Sequence, residues 1–208
     1  MQDDSLTLID PHRGLVPADI IYFEINLKIK CDGGAIKDFS RGLTDFNICR
    51  LGSLRETMNV SLTSWLSRVE LECAHVSRPL EASITINVLS GPSDLTRVAA
   101  WTSGNSETRI ILYDNEATTG TQMTKNDHYV LLARRVVLVP LGDKLVLQLV
   151  GDYEAEHLVL TLGHCDDEDQ LVCKIGCSEL QVKVSWTAIP IRKAEGWREV
   201  VGDVWLLT

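Results

Sequence analysis

Apolar and polar residues alternate along much of the chain with a period of two. In residues 20–30, Phe23 and Ile25 fall on one side, whereas Glu24 and Asn26 fall on the other. Successive side chains of an extended backbone point to opposite faces. The pattern therefore predicts a strand with one face on a core and the other face in water.

The same alternation recurs in segments that are separated by Gly, Asp or Pro, which are residues that favour turns. It predicts further strands over residues 69–73, 82–88, 109–113, 129–139, 145–149, 158–162, 171–175 and 180–186. Strands of this length between turn residues predict an all-β fold, a single-domain sandwich of mainly antiparallel sheets with at most short helices. Short helices are predicted at two places, near residues 55–66 and near residues 194–201.

The chain shows no low-complexity linker, and 208 residues of which 45% are hydrophobic can bury a single core. We predict one domain over residues 19–188, an N-terminal tail over 1–18 and a C-terminal tail over 189–208. The C-terminal tail contains Trp197 and Trp205 among valines and leucines. It is expected to pack on the sheet, because its apolar groups would otherwise face water.

The charge balance narrows the classes of partner. There are 20 Lys and Arg against 29 Asp and Glu, which gives a net charge of −9. This opposes binding to nucleic acid or to an anionic membrane, since both need clustered positive charge. A protein partner is expected instead. The chain starts without a basic and apolar leader, and its six cysteines are scattered. These features predict a cytoplasmic or nuclear protein with reduced thiols.

Residues 164–177, HCDDEDQLVCKIGC, combine three cysteines with a histidine and four acids. A zinc site would need two close pairs of ligands, and the adjacent His-Cys pair would point to opposite faces of a strand. We interpret the segment as two strands joined by a solvated acidic turn over residues 166–169. A redox pair formed by Cys173 and Cys177 is an alternative.

A calcium site is a further alternative in the same region. Seven acids and no Lys or Arg lie between residues 152 and 169. The candidate ligands are carboxylates that would converge if their loops met at one end of a sandwich: Asp152, Asp166, Asp167 and Asp169. No EF-hand pattern is present. A run of acids is more commonly a solvated loop, so neither a metal nor a cofactor is predicted.

The chain lacks the short motifs of hydrolases, nucleotide-binding loops and zinc proteases. Cys73 and His75 are two residues apart on a predicted strand, about 6.6 Å, and are interpreted as structural. Arg134 and Arg135 interrupt an apolar strand, so either one of them points inward or the strand is bulged there. The pair is interpreted as bonded to Asp or Glu, and anion binding is the alternative. Three tryptophans are expected to anchor the core: Trp65, Trp101 and Trp186.

Six segments together resemble a known family. They are residues 19–30 (DIIYFEINLKIK), 69–76 (VELECAHV), 80–91 (LEASITINVLSG), 110–114 (IILYD), 135–146 (RVVLVPLGDKLV) and 182–186 (VKVSW). In this order they resemble a plant domain of unknown function that is expanded in grasses. They are also similar to the C-terminal, non-toxin region of cereal jasmonate-induced ribosome-inactivating proteins. The similarity covers about residues 10–188.

The resemblance implies a non-catalytic interaction or regulatory module linked to plant stress or defence. It supplies no agreed catalytic residues, and it implies association with a ribosome-inactivating domain. An alternative function is rRNA N-glycosylase activity, which in the toxin domain uses a Glu-x-x-Arg pair and aromatic side chains that hold a flipped base. Glu195 and Arg198 fit this spacing, without the tyrosine-bearing domain before them. A metal- or anion-regulated binding domain is the third hypothesis.

Overall fold

A computed structural model describes residues 20–31, 33–47, 57–64, 67–77, 79–92, 95–115, 129–152, 154–161, 168–188 and 203–207. Within these ranges every regular element is a strand, and the paired strands run antiparallel. The predicted all-β fold is confirmed.

The helix predicted near residues 55–66 is wrong where the chain is described, because Thr57–Thr63 is a strand. The other predicted helix lies outside the described residues. No helix in these ranges is long and apolar enough to span a membrane.

The described residues form thirteen strands. They are β1 (Ile20–Lys30), β2 (Ile36–Asn47), β3 (Thr57–Thr63), β4 (Arg68–Ser77), β5 (Pro79–Ser90), β6 (Leu95–Thr102), β7 (Asn105–Asp114), β8 (Val136–Pro140), β9 (Lys144–Gly151), β10 (Ala155–Thr161), β11 (Glu168–Ile175), β12 (Ser178–Ala188) and β13 (Asp203–Leu207). The strands belong to two compact units. The sandwich unit contains β5–β12, and the hairpin unit contains β1–β4 and β13. The predicted limits of the tails stay predictions.

Two four-stranded sheets build the sandwich unit, in the orders β11-β12-β5-β8 and β10-β9-β6-β7. Alternate side chains of the central strands are buried between the sheets, as the period of two predicts. Those that are fully buried include Leu145, Leu147 and Leu149 of β9, and Leu180, Val182 and Val184 of β12. Each such side chain contributes about 1.5–3 kcal/mol through the removal of apolar surface from water.

Residues 129–135, which we call the cross-sheet segment, connect the two sheets through backbone hydrogen bonds. The Val130 N–H donates to the carbonyl of Ile86 on β5 (2.8 Å), and the Ala133 N–H donates to the carbonyl of Leu112 on β7 (2.7 Å). The strand predicted over residues 129–139 is therefore only partly right. Its regular part is β8, and the residues before β8 leave one sheet to bond to the other.

Three turns meet at one end of the sandwich unit, which we call the Gly91 end. The Glu154 carboxylate accepts a hydrogen bond from the Gly176 N–H, and the Ser178 hydroxyl donates to the Pro92 carbonyl. Gly91 has a φ of 83°, and a Cβ added there would collide with the backbone carbonyl of Cys177. The turns β5–β6, β9–β10 and β11–β12 are therefore held together by polar contacts and by close approach of the backbone.

The hairpin unit contains a long antiparallel pair, β1 and β2, and a three-stranded sheet of order β13-β4-β3. Ile25 of β1 is buried, whereas Tyr22 and Leu43 are exposed on the opposite face of the pair. Gly42 of β2 lies against the side chain of Leu62 of β3, where an added Cβ would come within 2.9 Å of it. The small residue lets these two strands approach closely.

Candidate functional site

Strands β10 and β11 flank the acidic link, as predicted, but they belong to different sheets. The solvated turn predicted over residues 166–169 is wrong at Glu168 and Asp169, because both residues lie in β11. β10 pairs with β9 in one sheet, and β11 pairs with β12 in the other. The link between them, residues 162–167, lies outside the described residues and contains His164, Cys165, Asp166 and Asp167. The tight turn of this region is instead Gly176-Cys177, which joins β11 to β12.

The candidate calcium ligands that are described stand far apart. Asp152 follows β9 at the Gly91 end, where its turn contacts Gly176 through Glu154. Asp169 lies seven residues before Gly176 along β11, about 23 Å away for an extended chain. These two carboxylates do not converge on one ion. No group of three or more His, Cys, Asp or Glu side chains in the described ranges is arranged to hold a metal. The role of Asp166 and Asp167 stays a prediction.

The buried cysteines are protected from ionisation. Burial raises the pKa of Cys173 to about 11, and the charge of Glu156 adds to the effect. Burial likewise raises the pKa of Cys73 to about 11, with a contribution from Glu72. Both thiols are protonated at neutral pH, so neither is a ready nucleophile or metal ligand. Cys177 is exposed in the turn between β11 and β12. Cys173 and Cys177 are both thiols and do not form a disulfide with each other.

The structure describes one of the two remaining predicted features, the Arg134 and Arg135 pair, but not the other, the Glu195 and Arg198 pair. Glu195 and Arg198, the alternative catalytic pair, lie outside the described residues, so the N-glycosylase hypothesis stays a prediction. Of the arginine pair, Arg134 is buried and Arg135 is exposed, as the sequence suggested. Burial lowers the pKa of the Arg134 guanidinium. Arg135 and Thr85 are among the residues that line a shallow cavity of about 220 Å³. Anion binding there stays a prediction.

The structure shows a surface that sequence reasoning missed. Trp186 is buried as predicted, but Trp101 is not a core residue, and that prediction is wrong. Trp101 is partly exposed, because the side chain of its neighbour Ala100 points into the core and alternation places Trp101 on the opposite face. Val98, Ala99 and Ala100 are all buried and the register shifts beside them, so neither simple alternation along β6 nor residue type reveals this position.

Two side chains, those of Arg109 and His157, meet Trp101 on the outer face of the β10-β9-β6-β7 sheet, and a third, that of Gln148, bonds to Arg109. The guanidinium carbon of Arg109 lies 4.8 Å from the Trp101 ring centroid, within the range of a cation–π interaction. The Arg109 Nη1 donates a hydrogen bond to Gln148 Oε1 (3.3 Å). The His157 ring meets the indole edge-on, with centroids 5.8 Å apart and an interplanar angle of 77°.

Strand pairing explains why residues so distant in sequence meet here. Val146 pairs with Trp101 and with Val159, and Gln148 pairs with His157. The tight turn between β6 and β7 brings Arg109 beside Trp101. We call this patch the Trp101 surface, which consists of Trp101, Arg109, Val146, Gln148, His157 and Val159.

Arg109 carries a charge that no carboxylate of the described residues neutralises. It is exposed, and its contacts there are with Trp101 and Gln148. On the same sheet, Arg97 pairs with Asp114 at 3.6 Å. The two arginines therefore differ in their surroundings: one is part of an ion pair, and the other is held by an aromatic ring and an amide.

A family model described as "Domain of unknown function (DUF6598)" matches residues 1–184. The chain belongs to the DUF6598 family. No curated protein and no solved structure matches it. The whole Trp101 surface lies within the part of the chain that matches DUF6598, whereas β13 lies beyond it.

The groups of the Trp101 surface in this DUF6598 domain suit binding. Arg109 offers several N–H donors in one plane, and His157 adds an exposed imidazole. Val159, which is 57% exposed, and Val146 supply an aliphatic border. The arrangement can therefore hold an anionic or polar group beside an apolar one.

Proposed function

We propose that this DUF6598 chain is a non-catalytic interaction module that binds a protein partner through the Trp101 surface. The observation that carries the proposal is the pair of the partly exposed Trp101 and the exposed Arg109, organised by defined side-chain contacts. Trp and Arg are the residue types that contribute most to binding energy at protein interfaces. Their contact on an open sheet face favours recognition.

The position of the pair on strands supports the same proposal. Trp101 and Gln148 stand on β6 and β9, the two central strands of their sheet. Gln148 is paired on both sides and Trp101 pairs with Val146, so the side chains are presented from a rigid base. A binding surface that is ordered in advance loses less entropy when the partner binds.

We propose plant stress or defence as the biological setting. This part of the proposal rests on the resemblance of the six sequence segments to a grass-expanded domain, and a ribosome-inactivating domain is the partner that the resemblance suggests. Binding of such a domain at the Trp101 surface would join the two parts of the proposal.

Selection of binding peptides tests the proposal. Random displayed peptides would be selected on the immobilised parent chain and then measured against Trp101→Ala and Val172→Ala variants. Val172 is 53% exposed on the other sheet, so its replacement is a matched surface control. We expect Trp101→Ala to weaken binding about 30-fold, the usual loss at an interface hot spot, and Val172→Ala to have little effect.

The circular dichroism spectrum and melting temperature of both variants would be compared with those of the parent. Unchanged folding with lost binding supports the proposal. Selected peptides that bind the Trp101 variant as well as the parent would refute it, as would the recovery of no binding peptide.

A further inference from the structure

We infer that the Trp101 surface recognises a carboxylate, carried by an Asp or Glu side chain of a partner protein next to an aliphatic residue. The inference rests on the proposed function and adds the chemical class of the ligand. It starts from the state of Arg109, which is an exposed cation that is held in place but not paired with a carboxylate of the described residues.

The comparison with Arg97 shows what is distinctive about Arg109. Both arginines are exposed on strands of the same sheet. Arg97 is compensated by Asp114, as is usual for a surface cation, whereas the described contacts of Arg109 are to neutral groups. Of these two arginines, Arg109 is therefore the one whose positive charge is available for an external anion.

The contacts of Arg109 also prepare its geometry. The indole of Trp101 and the amide of Gln148 fix the guanidinium group, and among the described residues its hydrogen bond is made through Nη1. The remaining N–H groups form a planar fork of the kind that binds both oxygens of a carboxylate. Because the side chain is already held, little conformational freedom is lost when the anion binds.

The surroundings favour a single anionic group over a polyanion. The chain has a net charge of −9, which opposes the approach of nucleic acids and anionic membranes. Val146 and Val159 continue the Trp101 surface across β9 and β10, and Val159 is 57% exposed. An Asp or Glu side chain with an aliphatic neighbour matches both the charge and the apolar border.

The experiment uses the full ¹⁵N-labelled chain and two capped tripeptides, acetyl-Val-Glu-Val-amide and acetyl-Val-Gln-Val-amide. Nuclear magnetic resonance titration would locate the amides that shift and give the affinity of each peptide. We expect shifts on β6, β7, β9 and β10, with the Glu peptide binding about tenfold more tightly than the Gln peptide, as for one charge-assisted hydrogen-bonded pair.

Two variants with the same change in charge provide the matched comparison. Arg109→Gln should remove the preference for the Glu peptide, whereas Arg97→Gln should retain it. An added single-stranded oligonucleotide of thymidines should bind more weakly than the Glu peptide. Tighter binding of the oligonucleotide at the same amides would overturn the inference in favour of a polyanion.

The outcomes separate this inference from the proposed function. Equal affinities for the two tripeptides at the Trp101 surface would overturn carboxylate recognition and leave the interaction surface intact. Absence of shifts with the Glu peptide, or shifts that Arg109→Gln does not change, would also overturn it. If the displayed peptides also bind the Trp101→Ala variant normally, the proposed function fails together with the inference.

Discussion

The Trp186 Nε1–H donates a hydrogen bond to Asp169 Oδ2 at 2.7 Å, which connects β12 to β11. The indole is 1% exposed, so its polar hydrogen is out of reach of bulk water. A buried donor of this kind needs a protein acceptor, because an unsatisfied one costs free energy. One member of the acidic stretch therefore has a structural role in holding the tryptophan.

Replacement of Asp169 by Ala should destabilise the chain by about 1–3 kcal/mol, because it leaves the Trp186 indole without its acceptor. Glu168→Ala is the control. Glu168 is exposed and 3.9 Å from Lys183, so its loss should cost less than about 1 kcal/mol. Urea unfolding followed by tryptophan fluorescence measures both. Equal midpoints for the two variants would contradict the assignment.

A double-mutant cycle isolates the same hydrogen bond. Trp186→Phe removes the donor and keeps an aromatic ring in the core. In that background Asp169→Ala should cost clearly less than it does in the parent, because the donor that needs the carboxylate is gone. Additive losses would show that Asp169 stabilises the chain by another route.

Gly91→Ala should destabilise the sandwich unit by at least about 2 kcal/mol more than Gly142→Ala does, a difference typical of overpacking against a rigid neighbour. Both glycines have positive φ, 83° and 97°. An alanine Cβ at position 91 would meet the backbone of Cys177, whereas nothing lies within 4 Å at position 142. Gly142→Ala should therefore cost only the conformational penalty, about 1–2 kcal/mol. Similar unfolding midpoints for the two variants would disprove the close contact.

Stability should fall as the pH rises through about 9 to 11. The pKa of Cys73 and that of Cys173 are about 11 in the folded chain and lie near 9.0 when the thiol is in water. Between these values the unfolded chain loses protons that the folded chain keeps, so unfolding is favoured by alkali. Burial also raises the pKa of Tyr113, which acts in the same direction.

Urea midpoints measured from pH 7 to 11 test this prediction. Cys173→Ala and Cys73→Ala should each flatten the decline relative to the parent, because each removes one group whose ionisation favours unfolding. A decline that is identical in the parent and both variants would assign the alkaline sensitivity to other groups.

The alternation of side chains was enough to predict the fold class and most strands. Phe23 and Ile25, for example, share the inner face of β1 as expected, with Ile25 buried. β2 was missed because its sequence, IKDFSRGLTDFN, has few apolar residues and a glycine where β3 approaches. A strand that packs through a small residue leaves little hydrophobic signal.

Pairing of strands could not be predicted from the same pattern. Periodicity says which residues share a face, but it does not say which strand lies alongside. This is why the separation of β10 and β11 into different sheets was not foreseen. The Trp101 surface was missed for the same reason, since Arg109, Gln148 and His157 come from three strands that only the pairing brings together.

The pairing of β5 with β12 also constrains how the chain folds while it is being synthesised. Asn87 donates a hydrogen bond to Gln181 at 3.1 Å across these strands, and the two residues are 94 positions apart. Contacts between such distant positions form late and leave apolar surface uncovered until they do. During translation, β5 must wait for almost a hundred further residues before β12 emerges, so the edge of β5 that β12 will pair with stays uncovered over that interval.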